Sequence, residues 1–282
     1  MIKLFVSDMD GTLLNSKHTI SKETVDSIKA LQASGIEFMI ATGRTFASSK
    51  TLLDMFGIEC EIINLNGAAI YDNKGQILES IPLENNITQS LIEYCNNYHI
   101  EYSIMTENNI YVNDKEIFLQ RMNDYFSANN TQDDVTTAQF IGEFSNSFDI
   151  SELENHPDEH PLKMVVVSDR PATLASLKRL FEKDGSLDIT STHHDNLEIT
   201  HIYAQKGFAI QSYVNKKGWS MEEVAAIGDS LNDRSMLKMA GFGFAMDNAS
   251  DEIKKLAPYI APDHDKDGVA HIIHEILAGK YA

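Results

Sequence analysis

Ile2-Lys3-Leu4-Phe5-Val6-Ser7-Asp8-Met9-Asp10-Gly11-Thr12 lies at the start of the chain. A short run of branched and aromatic residues stops at Ser7-Asp8, as a buried strand does, and two carboxylates and a glycine follow. Asp8 and Asp10 are two apart, so in an extended segment both side chains point the same way. Gly11 lets the chain turn sharply after them. The same grammar continues outward. Ser21 reads as the N-cap of a helix with Val25, Ile28 and Leu31 on one face, and Gly35 closes it. Strands are expected over 36–41 and 62–65, with a helix over 48–56 between them. Towards the other end the expected order is helix 207–214, strand 224–227, helix 231–240 and strand 242–245. Buried strands joined by helices indicate an α/β fold, a doubly wound parallel sheet covered on both faces.

The middle differs in character. From Pro82 to His194 the sequence carries polar runs and alternating segments: Glu101 to Met105, Ile110 to Val112, and Lys163 to Ser168 followed by a helix from Pro171 to Asp184. Asn129-Asn130-Thr131-Gln132-Asp133-Asp134 is a loop by composition. The expected organisation is a split core, 1–81 and 195–282, with an inserted α+β domain over 82–194.

The chain has 282 residues and a formal net charge of −19. A field of that sign repels nucleic acid and anionic lipid, so neither is an expected partner. A phosphorylated substrate would need a locally positive site. Two cysteines cannot make a disulfide framework, which favours a reducing, cytoplasmic location. The first residues reach a carboxylate too early for a signal peptide, and no apolar run approaches transmembrane length.

In open parallel sheets ligands bind beyond the carboxyl ends of the strands. Four such ends carry Asp8-Met9-Asp10-Gly11-Thr12, Thr42-Gly43-Arg44, Asn66-Gly67 and Gly228-Asp229-Ser230-Leu231-Asn232-Asp233. Each like-charge pair of carboxylates at about 4 Å, with an effective dielectric near 20, costs on the order of 4 kcal/mol. Such a cluster persists when it holds a cation or takes up a proton. Hard oxygen ligands suit Mg²⁺, which also takes phosphate oxygens. Asp8 is then placed as a nucleophile towards phosphorus, and Asp10 as the acid that protonates the leaving oxygen and later the base that activates water. Lys206, at a helix start, is the candidate cation. Thr42 and the amide of Gly43 are candidate phosphate contacts, and Asn232 is placed to hold the substrate phosphate near Asp229. Ser230-x-x-Asp233 also matches a capping box, so Asp233 is read both as a helix cap and as a support for the metal ligands, two compatible roles.

Taken in order, these motifs resemble those of haloacid dehalogenase superfamily phosphatases of the Cof-like branch with a type IIB cap. Asn66-Gly67-Ala68 and Met246-Asp247-Asn248-Ala249 resemble segments of that branch too. The resemblance implies a Rossmann-like core, an inserted cap that sets substrate specificity, Mg²⁺ dependence and hydrolysis of small phosphorylated metabolites such as sugar phosphates. It implies that Asp8, the backbone carbonyl of Asp10 and Asp229 ligate Mg²⁺, with Thr12 and Asp233 supporting them. It also implies that the backbone amide of Met9 joins Thr42, Gly43, Lys206 and Asn232 around the phosphate. Ala204-Gln205 departs from the Ser or Asn that relatives often carry beside the lysine.

Rival readings are a phosphomutase of the same superfamily and, from another class, a phospho-acceptor module without turnover. Asp10, as a turnover acid, argues against the second. Asp263-His264-Asp265-Lys266-Asp267-Gly268 begins like a calcium loop, but the twelfth position is His274, so it is read as an acidic loop capping the last helix. Gly241-Phe242-Gly243 lacks a third glycine, which rejects a dinucleotide site. His271 and His274 share a helix face without clear metal partners, and His193 and His194 would straddle a strand and so cannot both line one site.

Overall fold

A computed structural model of the chain describes residues 1–120, 142–191 and 195–281. The stretch Asn129–Asp134 and the pair His193-His194 lie outside these described residues. The chain divides into two compact units, Met1–Glu79 with Gln205–Ala282, and Ser80–Ala204. In chain order the strands are β1 (Leu4–Ser7), β2 (Glu37–Ala41), β3 (Glu61–Asn64), β4 (Ala69–Tyr71), β5 (Ile77–Ser80), β6 (Glu101–Met105), β7 (Ile110–Val112), β8 (Phe148–Asp149), β9 (Lys163–Val167), β10 (Leu187–Thr190), β11 (Asn196–His201), β12 (Val224–Gly228), β13 (Phe242–Met246) and β14 (Tyr259–Ala261).

The first unit is built on a sheet of order β14-β13-β12-β1-β2-β3-β4-β5. The six strands from β14 to β3 run parallel, and β4 returns antiparallel to β3. Alternation along β1 assigns its side chains to two cores. Phe5 packs with Ile40, Ile62, Ile227 and Phe244 against Val25, Ile28 and Leu31 of helix Lys22–Ala33 and Ile272, Ile273 and Ile276 of helix Gly268–Leu277. Leu4 and Val6 pack with Met39, Ile63 and Ala226 against Ile210 and Val214 of helix Lys206–Lys216 and Met236 of helix Arg234–Met239. Helices on both faces make the sheet doubly wound. Helix Lys22–Ala33 starts where Ser21 accepts a hydrogen bond from the Thr24 amide and stops at Gly35, whose φ of 89° closes the turn. Fully burying each of its apolar side chains contributes roughly 1.5–3 kcal/mol.

The second unit has a sheet of order β10-β11-β9-β6-β7-β8, antiparallel except between β7 and β8. Tyr102, Ile104, Met164, Val166, Leu197 and Ile199 share a core with Leu91 and Cys95 of helix Asn85–Asn97 and Leu174 and Leu177 of helix Pro171–Phe181. The division between units differs from the expected 82–194. It falls after Ala204 because β11 pairs with β9 and β10, so residues 196–201 belong to the second sheet.

Other boundaries shift for local reasons. The strand expected through Leu65 ends at Asn64, because Leu65 and Asn66 turn left-handed, with φ of 51° and 63°. The helix expected over 231–240 is a 3₁₀ turn, Leu231–Asp233, followed by an α-helix from Arg234. The acidic loop does not cap the last helix with a side chain. Asp263 instead accepts from the Asp265 amide and caps the short turn His264–Lys266, and Asp267 precedes the helix without a side-chain cap bond.

Candidate active site

The carboxyl ends of β1, β2 and β12 converge where the chain leaves β1 for β2 on one side and β12 on the other, the switch point of a doubly wound sheet. Ser7 is in register with Ile40 and Ile227, so Asp8 follows β1 beside the residues that follow β2 and β12. The Asp8 amide donates to Ile227 O at 3.0 Å, which extends that register by one residue.

Lys206, the first residue of its helix, is fully buried. Its Nζ lies 2.6 Å from Asp8 Oδ1 and 2.5 Å from Asp233 Oδ1. The other oxygen of Asp233 accepts from the amides of Asp229 and Ser230, each at 2.9 Å, so this residue both caps the 3₁₀ turn and pairs with the lysine. Asp229 is held by hydroxyl donors: Thr12 Oγ1 to Oδ1 and Ser230 Oγ to Oδ2, both at 3.0 Å. Gly11 makes this approach possible. With φ at 75°, a Cβ there would lie 2.7 Å from Asp229 Oδ2.

Ligand oxygens of Asp8, Asp229 and Asp233 lie within 4.8 Å of one another. Burial is the largest influence on Asp8 and pushes its carboxyl up; Lys206 opposes this, while Asp233, Asp229 and Asp10 reinforce it, leaving it well above the ordinary carboxylate range. Burial and Asp233 likewise raise Asp229. Lys206 is raised, because Asp233 and Asp8 outweigh the burial that would lower it. Fully ionised, as a bound cation would leave them, Asp8, Asp229, Asp233 and the neighbouring Asp10 exceed Lys206 and Arg44 by two negative charges, the charge of one divalent ion. All the donors are oxygens. The set fits Mg²⁺ in charge and in hardness.

Asp10 sits apart from that cluster. Arg44 grips it in a fork, Nε to Oδ2 at 2.7 Å and Nη2 to Oδ1 at 2.6 Å, and its side chain is 47% exposed. Burial would raise its carboxyl, but the Arg44 hydrogen bond and charge hold it below the ordinary value. Thr42 is buried just beyond β2, and its Oγ1 accepts from the Arg44 amide at 3.2 Å, with Gly43 between them. Met9 is buried behind Asp8, and its carbonyl accepts from the amides of Thr12 and Leu14. Asn232 Nδ2 donates to Asn66 Oδ1 at 3.0 Å.

Three residues around this site stand in motifs of the sequence without a role assigned to them. Arg44 was visible only as the last residue of Thr42-Gly43-Arg44. Asn66-Gly67 is legible as a strand-end motif and as a segment resembling the Cof-like branch, with no role for Asn66 and no sign of Asn232 as its partner. Asn248 donates to Gly11 O at 2.8 Å and accepts from the His264 amide, which steadies the turn after Asp10. Asp263, His264 and Asp265 form a second oxygen and nitrogen group, but Asp263 and Asp265 already accept from the Asp265 and Ser16 amides.

Residues 5–273 match the model of the haloacid dehalogenase-like hydrolase family, and the chain belongs to that family. It is 30% identical over 287 residues to "Phosphatase YwpJ" of Bacillus subtilis, covering 98% of this chain and all of that one. It is 31% identical over 278 residues to "5-amino-6-(5-phospho-D-ribitylamino)uracil phosphatase YcsE" of the same organism, covering 98% of this chain and 96% of the relative. A solved haloacid dehalogenase-like hydrolase from B. subtilis superposes with a TM-score of 0.83 at 29% identity, covering 98% of this chain and all of the other. Within the family the chain is a phosphatase of the Cof branch. No helix among the described residues is long and apolar enough to cross a membrane.

Proposed function

We propose that this chain hydrolyses small phosphorylated metabolites with Mg²⁺, through a phosphoryl group carried on Asp8. The observation that carries the reading is the buried Lys206 held between Asp8 and Asp233, with Asp229 alongside. Asp8, the carbonyl of Asp10 and Asp229 would hold the ion, which when bound offsets charge on the cluster and on the phosphoryl oxygens. Asp233 keeps Lys206 in place, and Thr12 keeps Asp229 in place.

In the first half-reaction an Asp8 oxygen bonds to phosphorus as the ester oxygen leaves, and Asp10 gives that oxygen its proton. In the second, Asp10 takes a proton from water, whose oxygen attacks phosphorus and returns Asp8 as a carboxylate. Lys206, Thr42, Asn232 and the amides of Met9 and Gly43 supply donors to the phosphate. The Arg44 fork favours ionised Asp10, the form that accepts a proton, and thereby sets the pH range of each half. We assign the choice among esters to the second unit. A polyol phosphate is the first class to try, because one relative is named for a phosphoribitylamino substrate. The free cysteines, Cys60 and Cys95, suit the cytoplasm.

The test is phosphate release from a panel of phosphorylated metabolites, with no bisphosphate activator present. Activity that EDTA stops and Mg²⁺ restores, and that Asp8→Asn lacks while remaining folded, is the expected result. Comparable turnover by Asp8→Asn, or full activity without metal, contradicts the reading.

A further inference from the structure

The segment after β3 is unusual for its residue types. Leu65 and Asn66 both adopt left-handed backbone, with φ of 51° and 63°, and Gly67 follows at 109°. Asparagine tolerates this region; leucine does not favour it. Strain of this kind persists where the surrounding structure over-determines it. Here four ties do so. The Leu65 amide donates to Arg44 O at 3.1 Å and the Asn66 amide to Thr42 O at 3.0 Å. A Cβ on Gly67 would lie 2.4 Å from the carbonyl carbon of Gln205, the residue before Lys206. Asn66 Oδ1 accepts from Asn232 Nδ2. One short turn therefore touches the loops carrying Thr42, Lys206 and Asn232.

The Asn232 amide is half used. Its nitrogen is on Asn66, and its buried Oδ1 has no hydrogen-bond partner. A half-buried amide whose buried oxygen lacks a partner is poised for a ligand. Turning both amides over together keeps one N–H···O bond between them and presents the Asn232 nitrogen instead. In either arrangement Asn66 fixes the rotamer of Asn232.

We infer that Asn66 is a positioning residue, one that orients the Asn232 amide towards the phosphoryl oxygens of the substrate. This rests on the phosphatase reading above and adds a residue to it. Asn66 is 6% exposed, so it acts through Asn232 rather than by direct access from solvent. The left-handed backbone is what aims its side chain, and asparagine followed by glycine suits that backbone.

The informative variant is Asn66→Gly, because glycine accepts the same backbone and removes only the amide. It is compared with Asn232→Ala and with the double variant in steady-state hydrolysis and in inhibition by orthovanadate. The expected result for Asn66→Gly is a fall in kcat/KM of at least tenfold, carried by KM, and a matching loss of vanadate affinity. The Mg²⁺ activation curve should not move. The double variant should be no worse than Asn232→Ala alone, because the two residues act as one unit. Wild-type constants in Asn66→Gly, or losses that add in the double variant, would overturn the inference. If Asn66→Gly melts several degrees lower, Asn66→Asp carries the same comparison. A carboxylate there keeps left-handed backbone and acceptor but pins the Asn232 nitrogen on itself, so the same loss is expected and wild-type vanadate affinity would overturn the inference. Wild-type turnover abolished by Asp8→Asn alongside a normal Asn66→Gly defeats this inference only. A wild-type enzyme that neither hydrolyses phosphate esters nor binds vanadate defeats both readings.

Discussion

Asp8 makes the stability of the metal-free protein depend on pH, and Asp8→Asn should abolish that contribution. The carboxyl is buried beside Asp233, Asp229 and Asp10, and its folded-state pKa lies well above the unfolded value of about 3.9. An acid raised on folding contributes stability below its unfolded pKa and loses it as pH climbs towards the folded one. Across that window the folded state binds one more proton than the unfolded state, so stability falls by about 1.4 kcal/mol per pH unit from this group alone. The fall continues at that slope until the pH reaches the raised folded-state value. Asp229 adds in the same direction. Asp10 does not, because a lowered acid is already ionised in both states over this range. Trp219, the chain's one tryptophan, is in the first unit and packs beside its core, so its fluorescence reports on the unit that holds the site. Urea unfolding in EDTA at pH 5, 6 and 7 should show the slope in the wild type and a slope smaller by about 1.4 kcal/mol per unit in Asp8→Asn. Saturating Mg²⁺ should restore the wild type at pH 7. A flat wild-type profile in EDTA, or equal slopes in the two proteins, would refute the charge argument.

Lys206→Met strips the shared cation from a buried pair and should cost about 3–5 kcal/mol in the same unfolding assay, as well as activity; a loss under 1 kcal/mol would mean the acids manage without it. Gly11→Ala sets a methyl 2.7 Å from Asp229 Oδ2 at a φ of 75°, so turnover should fall and the apparent Mg²⁺ affinity should weaken. Unchanged Mg²⁺ activation would place Asp229 outside the ion's reach. Arg44→Ala frees Asp10 from the fork that lowers it, so the protonated form should persist to higher pH and the alkaline limb of kcat/KM should move up. An unmoved limb would remove Asp10 from the acid role.

The parts of this site that sequence made legible are those encoded next to strands. Leu4-Phe5-Val6 and Val224 to Ile227 read as buried strands because both faces are covered and every position is apolar, and the chemistry begins two residues beyond each. Lys206 was legible as a lone basic residue at a helix start. What stayed hidden are contacts that only the register of the sheet creates. The Arg44–Asp10 fork joins residues 34 apart, across neighbouring ends of β1 and β2. Leucine at 65 gives no signal for left-handed backbone, so the expected strand runs one residue past its true end. The segment 196–201 falls with the core in the sequence reading because no strand is read there, and its pairing with β9 and β10 is a contact that only the folded second sheet shows.

The account stands on Asp8 taking the phosphoryl group. The direct measurement is acid quenching of the enzyme during turnover of a good substrate, followed by peptide mapping. A phosphoryl adduct on the peptide containing Asp8, absent from Asp8→Asn, is the predicted result. Rapid turnover with no adduct at any quench time, or an adduct on a peptide that lacks Asp8, would contradict it.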